Sequence, residues 1–169
     1  MPLPKKIIRP SDASFPHEEL GKRLLATFFG SNHVFPYMLD RVEVERKYHH
    51  GEHHRDDIFA ALLFMIFAFA SKFITDEPAV LKTEGDPYSA GDAYADIVQP
   101  YYRMFQGPVS LEELQGMVLF VFHQFASGRS HPAWVVIGVT VRLALDVGAH
   151  RRRPEAPTKE AEYWKRTFW

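Results

Sequence analysis

The sequence predicts an all-α fold, a multi-helix bundle, from three observations. Apolar residues recur at three- and four-residue steps in several segments, which is the spacing of one helix face. Residues 58–70 and 133–147 are apolar almost all round, and helices of that kind belong inside a bundle. Residues 133–147 are also rich in β-branched side chains, but about fifteen residues without a turn signal favour a helix over a strand.

Length and composition indicate one globular domain. At 169 residues the chain can bury roughly two-thirds of its unfolded surface. A hydrophobic content of 46% separates it from disordered chains, and fourteen Phe predict a large aromatic core. The net charge of −1 provides no field that would attract nucleic acid. The absence of Cys excludes disulfides and thiolate zinc clusters within these residues.

The start of the chain does not resemble a secretory signal. Lys5, Lys6 and Arg9 are followed by prolines and acids instead of an apolar segment, so the protein is expected to be intracellular. We interpret residues 1–17 as an extended lead-in or linker and residues 18–169 as the helical domain.

The first predicted helix covers residues 18–29 and is ended by Gly30-Ser31-Asn32. Its apolar side consists of Leu20, Leu24, Leu25, Phe28 and Phe29. Residues 35–39 are predicted to form a corner that inserts aromatic side chains into the core. Residues 41–47 alternate in charge, and the pattern leaves a short helix and an exposed turn as alternatives.

A histidine cluster follows, with His49, His50, His53 and His54 in two i,i+4 pairs. This spacing suits zinc, copper or nickel on one helix face, and Asp56 and Asp57 are close enough to complete a site. However, Gly51 weakens a helix here and no Glu stands between the paired histidines. We therefore predict a polar loop without a metal, and the two acids are interpreted as residues at a helix N-terminus. A helical metal-dependent enzyme is retained as an alternative.

Residues 58–70 form an uninterrupted apolar run. A membrane span needs about twenty residues, so this run predicts a buried core helix packed against residues 133–147. A membrane-associated helical protein is a further alternative. Residues 88–105 are predicted to form another helix, kinked or split at Pro100.

Residues 110–150 predict two helices joined by a tight turn. Ser110 and Glu113 have the form of a capping box, so a helix should begin at Leu111. Its predicted buried face consists of Leu111, Leu114, Gln115, Val118, Leu119, Phe122 and Phe125.

The second of these helices is predicted to be central in the bundle, with Ser130 as N-cap, Pro132 in its first turn and Gly148 as a left-handed C-cap. Arg142 and Asp146 are interpreted as buried architectural residues beside Trp134. His123 and His131 are predicted to be helix-surface or turn residues, and Thr158 to cap the last helix.

A family resemblance is carried by this part of the chain. The matching segments are 126–129 (ASGR), 133–134 (AW), 137–138 (IG), 141–144 (VRLA), 146–151 (DVGAHR) and 163–169 (YWKRTFW). They resemble the signature of the fungal-specific transcription factor domain, the "middle homology" region of fungal zinc binuclear cluster regulators of the xylanolytic activator type. Upstream, the apolar residues of the first helix and Phe35-Pro36 resemble the opening of the same domain.

The resemblance implies a regulatory domain whose full protein acts in the nucleus. DNA would be bound through a zinc cluster of six cysteines outside this chain, so no DNA-binding, metal-binding or cofactor-binding residue is expected here. A small-molecule inducer or a transcriptional partner protein would act on the domain, and a homodimer is an open alternative. The residues contain no nucleophile elbow and no phosphate loop, so no enzyme activity is expected.

The pattern at the carboxyl end is interpreted as incomplete. Trp164 and Phe168 require a partner surface, and in the resembled family the domain continues through further helices. We therefore expect this bundle to be part of a larger helical domain, with exposed aromatic surface and a tendency to aggregate in isolation.

Overall fold

The computed structural model describes residues 14–30, 35–98, 108–151 and 158–168, and these form an all-α domain. The helices are α1 (Glu18–Gly30), α2 (Arg41–His49), α3 (Asp57–Ala70), α4 (Asp92–Ile97), α5 (Leu111–Ala126), α6 (Ser130–Asp146) and α7 (Lys159–Phe168). Short 3₁₀ turns connect several of them. The only strand-like pairing in the described part of the chain is one isolated bridge between Leu81 and Ala90.

Helix α3 is the centre of the bundle. Asp56 caps it by accepting hydrogen bonds from the backbone N–H groups of Ile58 (2.9 Å) and Phe59 (3.1 Å). Every residue from Leu62 to Ala70 is buried. Helices α1, α4 and α5 pack around it. The apolar run, which is too short to span a membrane, is thus enclosed by protein.

The predicted helix over residues 18–29 is confirmed as α1, which extends to Gly30 and buries Leu20, Leu24, Leu25 and Phe28. The corner after it is partly different from the prediction. Tyr37 is exposed, whereas Met38 and Leu39 are buried. Met38 and Leu39 therefore enter the core here, and Tyr37 does not, while the side chain of Phe35 lies outside the described part of the structure.

Helix α5 begins at Leu111 with the predicted capping box, in which Ser110 Oγ accepts from Glu113 N–H (3.2 Å) and Glu113 accepts from Ser110 N–H (2.8 Å). Its predicted buried face is confirmed at Leu114, Gln115 and Leu119 but is wrong at its carboxyl end. Phe122 and Phe125 are partly exposed, while Met117, Phe120, Val121, His123 and Gln124 are buried. The reason is that α5 lies between α3 and α6 and is therefore covered on two flanks.

Helix α6 is confirmed as a helix, but its predicted central position is wrong. It packs on α5 at the edge of the bundle, and of its residues only Ala133, Val136, Thr140 and Ala144 are buried. Arg142, Asp146 and Trp134 are exposed instead of buried together. The predicted Ser130 cap is also wrong, because Arg129 occupies the N-cap position without a side-chain hydrogen bond.

A glycine in the left-handed conformation follows each of α5 and α6, and the second of them, Gly148, is the predicted left-handed cap. Gly128 and Gly148 each have a φ of 72°. After α6, the N–H groups of Gly148 and Ala149 donate to the carbonyls of Leu145 (3.0 Å) and Ala144 (2.9 Å), which is a Schellman motif.

The predicted helix over residues 88–105 is wrong in its first part. Gly91 takes a φ of 78°, which separates the 3₁₀ turn Pro87–Ser89 from α4. Helix α4 covers six residues only, and Val98 is already extended. Pro100 lies outside the described residues.

Candidate functional site

An apolar groove lies between α5, α6 and α7. Its volume is about 250 Å³, and residues of all three helices line it. Phe122 and Phe125 border it from α5, Ile137 and Val141 from α6, and Phe168 from α7. None of its lining side chains is charged. The groove therefore offers a surface suited to an uncharged, apolar group.

Two threonines supply the polar atoms of the groove. Thr140 Oγ1 donates to the carbonyl of Val136 (2.8 Å), and Thr167 Oγ1 donates to the carbonyl of Tyr163 (2.8 Å). Because both hydroxyl protons are engaged within their own helices, each oxygen retains only acceptor capacity toward the groove. A ligand that carries one hydrogen-bond donor would match this arrangement.

Helix α7 closes one end of the groove and is held at both of its ends. Near its start, Lys159 forms an ion pair with Asp40, and near its end Arg166 donates to the carbonyl of Tyr37 (3.4 Å). Trp164 and Phe168 pack on a small cluster formed by Leu114, Ala144 and Ala149. As predicted, Thr158 caps the helix by accepting from Ala161 N–H (3.1 Å).

A buried ionic junction lies on the other side of α5, where α4 meets the α5–α6 turn. Arg129 donates to both carboxylate oxygens of Asp92, over 2.9 and 2.6 Å. His123, fully buried, places Nε2 3.3 Å from the carbonyl oxygen of Ala90 and 3.4 Å from Asp92 Oδ1. The predicted surface position of His123 is therefore wrong, whereas His131 is exposed as predicted.

The electrostatics of this junction keep His123 neutral. Burial is the main cause that lowers the pKa of His123 to about 4, and the positive charges of Lys72 and Arg129 add to it, whereas Asp92 and the carbonyl of Ala90 oppose it. Burial likewise lowers the pKa of Lys72, whose Nζ donates to the carbonyl of Tyr88 (2.7 Å), to about 8. With Nε2–H donated to the carbonyl of Ala90, His123 Nδ1 is left without a hydrogen-bond partner.

We expect acid to destabilise the domain through His123. An unfolded histidine titrates near 6.5, so the unfolded chain binds more protons than the folded chain between pH 6.5 and about 4. The free energy of unfolding should therefore fall by about 2 kcal/mol from pH 7 to pH 5. Urea titrations at the two pH values test this, with His123→Gln as the comparison. An equally steep loss in that variant would contradict the assignment.

The sequence pointed only indirectly to this junction. Arg129 belongs to a segment that carries the family resemblance, and this was the one sequence feature that indicated a role for Arg129. Asp92 and His123 are distant in sequence and become neighbours only because α3, α4 and α5 converge.

The histidine cluster does not form the alternative metal site. Helix α2 ends at His49, and Gly51, with a φ of 66°, separates it from the 3₁₀ turn Glu52–His54. The two histidines of each i,i+4 pair therefore do not lie on one helix face. The His53 ring stacks on Tyr48, with centroids 5.2 Å apart. Among the residues that the structure describes, no three His, Asp or Glu side chains come together as a metal site.

The membrane alternative also lacks support, since every helix in the described ranges is too short or too polar to cross a bilayer.

Comparison with known proteins gives a consistent result. A family model described as the fungal specific transcription factor domain matches residues 25–169. The Zn(2)-C6 fungal-type transcription factor mpsB of Macrophomina phaseolina is 24% identical over 154 residues, which cover 86% of this chain and 20% of that protein. A positive regulator of purine utilization from Emericella nidulans is 27% identical over 164 residues, covering 82% of this chain and 16% of the relative. This chain thus spans a fifth or less of either relative. No solved structure matches it significantly.

Proposed function

Because the chain belongs to the fungal specific transcription factor domain family, we propose that it is the regulatory domain of a longer transcription regulator. The two relatives are named as transcription regulators, and one name specifies a Zn(2)-C6 factor. DNA binding would then reside outside these residues, in a zinc cluster, and the whole protein would act in the nucleus. Residues 18–169 would form the regulatory unit, preceded by a linker.

We propose that the domain acts by binding rather than by catalysis, and that its effector occupies the groove between α5, α6 and α7. The observation that carries this proposal is that three separate helices share one uncharged apolar groove. A ligand there contacts α7 as well as the α5–α6 hairpin, so it binds one arrangement of α7 better than another. Such a difference in affinity shifts the population of the two arrangements, which is how an effector controls a domain.

The groove should accept a neutral apolar probe. N-phenyl-1-naphthylamine carries one N–H donor and no charge, which fits the acceptor oxygens of Thr140 and Thr167. Val141→Trp fills the groove from its rim and should weaken binding of the probe about tenfold or more, measured by its fluorescence.

Val135→Trp is the matched control for this experiment. Val135 and Val141 stand on the same helix with similar exposed fractions, 49% and 45%, but only Val141 lines the groove. The control should therefore bind the probe like the unaltered chain. Equal weakening in both variants would show that the probe binds the exposed face of α6 and would contradict the groove as the site.

The regulatory role itself is tested by transcription. The chain, placed between a heterologous DNA-binding domain and an activation domain in a fungal host, should change reporter output as growth conditions change. Val141→Trp should lock that output at one level, while Val135→Trp should preserve the response. Output that never differs from a fusion lacking residues 18–169 would contradict a regulatory function.

A further inference from the structure

Lys72 differs from the other described lysines in the group that its ammonium contacts. It lies in the 3₁₀ turn Ser71–Phe73 after α3, is only partly exposed, and donates to the backbone carbonyl of Tyr88 (2.7 Å). Within the described part of the chain it forms no ion pair. Four other lysines there pair with carboxylates, namely Lys22 with Glu18, Lys47 with Glu112, Lys82 with Asp96 and Lys159 with Asp40.

The carboxylate nearest in effect to Lys72 is already occupied. Both oxygens of Asp92 accept from Arg129, over 2.9 and 2.6 Å. The charges of Asp92, Arg129 and, less strongly, Asp86 act on Lys72, whereas the neighbouring His123 is neutral. Two cations thus share one largely buried acid, and Arg129 holds it. The ammonium of Lys72 therefore carries a charge that burial penalises and that no ion pair with the described residues compensates.

This environment favours the neutral amine. Burial is the main cause that lowers the pKa of Lys72 to about 8, and Arg129 adds to it, whereas Asp92 and Asp86 oppose it. About a fifth of the Lys72 side chains are then unprotonated at pH 7.4, against about one in a thousand for an ordinary lysine. Desolvation and a neighbouring cation are the means by which proteins activate a lysine as a nucleophile.

The hydrogen bond to Tyr88 discriminates between the products that such an amine can form. A neutral imine has no N–H, so a Schiff base at Lys72 would lose this bond or regain the penalised charge by protonation. An amide carries no charge and retains one N–H, which can still donate to the carbonyl of Tyr88. The product that suits this position is therefore an amide.

We propose that Lys72 is an acylation site, at which the ε-amine takes an acyl group from a thioester of the class that cells carry on coenzyme A. The amine nitrogen attacks the thioester carbonyl, the C–N bond forms and the C–S bond breaks. The thiolate leaves with the proton that the amine releases. Lys72 loses its positive charge, and of the two cations beside Asp92 only Arg129 remains.

The proposal goes beyond the effector groove and does not depend on it. Lys72 belongs to the junction on the opposite side of α5, and no residue of that junction lines the groove. Failure of the groove to bind a probe would therefore leave the acylation site untouched, and the reverse holds as well.

Site-resolved acetylation of the folded full chain tests the proposal. The probe is S-acetyl-N-acetylcysteamine, a small thioester without charge, and Lys165 is the internal control because it is exposed in the same molecule. At pH 7.4, peptide mass spectrometry should show Lys72 acetylated about tenfold faster than Lys165. The neutral fraction alone would give about 200-fold, and the lower nucleophilicity of a weaker base reduces that ratio.

The same reaction in concentrated urea shows whether the fold is responsible. Faster acetylation of Lys72 in the folded chain, with similar rates at the two lysines in urea, supports the proposal. Equal or slower acetylation of Lys72 in the folded chain overturns it. A preference for Lys72 that persists in urea overturns it as well, because the cause would then be the local sequence and not the junction with Asp92 and Arg129.

Discussion

Replacing Gly91 by alanine is expected to prevent the domain from folding stably. Gly91 is pressed against the backbone of α3, where a Cβ would lie 2.1 Å from the carbonyl oxygen and 2.8 Å from the Cα of Ala68. The obstructing atoms belong to the central helix and cannot move aside as a flexible side chain would. The φ of 78° adds strain for any residue with a Cβ. We expect a loss of more than about 4 kcal/mol in the free energy of unfolding.

Gly85→Ala provides the matched control for this prediction. Gly85 has a similar φ of 75°, but a Cβ there would meet nothing within 4 Å. The Gly85→Ala variant should therefore lose only about 1 kcal/mol of the free energy of unfolding, which is the cost of placing a residue with a Cβ in the left-handed conformation. Urea unfolding followed by circular dichroism measures both variants. Equal losses would mean that backbone strain, and not contact with α3, is what requires glycine at position 91.

Removing the carboxylate of Asp92 should have the second largest effect. Its side chain is only 13% exposed and accepts two hydrogen bonds from Arg129, beside the buried ring of His123. In Asp92→Ala the positive charges of Arg129 and Lys72 remain around a buried imidazole without a counter-charge. We expect a loss of about 3 kcal/mol, at the low end for a buried pair because the Arg129 side chain is 38% exposed.

Asp96→Ala is the corresponding control on the same helix. Asp96 pairs with Lys82, and both side chains are more than half exposed, so its removal should change stability little. The two variants lose the same chemical group from α4 and differ in burial. Comparable urea midpoints for the two would contradict a structural role for the junction.

The sequence predicted a structural feature accurately where all the residues that determine that feature are close together in the chain. The capping box at Ser110 and the left-handed cap at Gly148 depend on neighbouring residues and form as expected. The apolar run of α3 is buried as predicted, because a helix that is apolar on every side must be enclosed. Its predicted partner is wrong, since α3 packs mainly against α1, α4 and α5 and not against α6.

The same reasoning failed for α6, and the cause is physical. The sequence of a uniformly apolar helix does not show which neighbours cover it, and here α5 covers most of the buried side of α6 while α7 lies at one edge. The groove and the exposed outer side of α6 are consequences of that peripheral position. They could not be read from periodicity, since no period distinguishes the covered side from the open side.

Some features of this domain are thus determined by local sequence, and others arise only from tertiary contacts. The sequence alone determined the helical class, most helix ends and the family, because these depend on local hydrogen bonding and on a signature carried by a few segments. Only the tertiary structure decided that α3 is central, that His123 is buried against Asp92 and Arg129, and that α5, α6 and α7 enclose a groove. Those relations join residues far apart in the chain, and their energies arise from packing and desolvation that exist only once the helices meet.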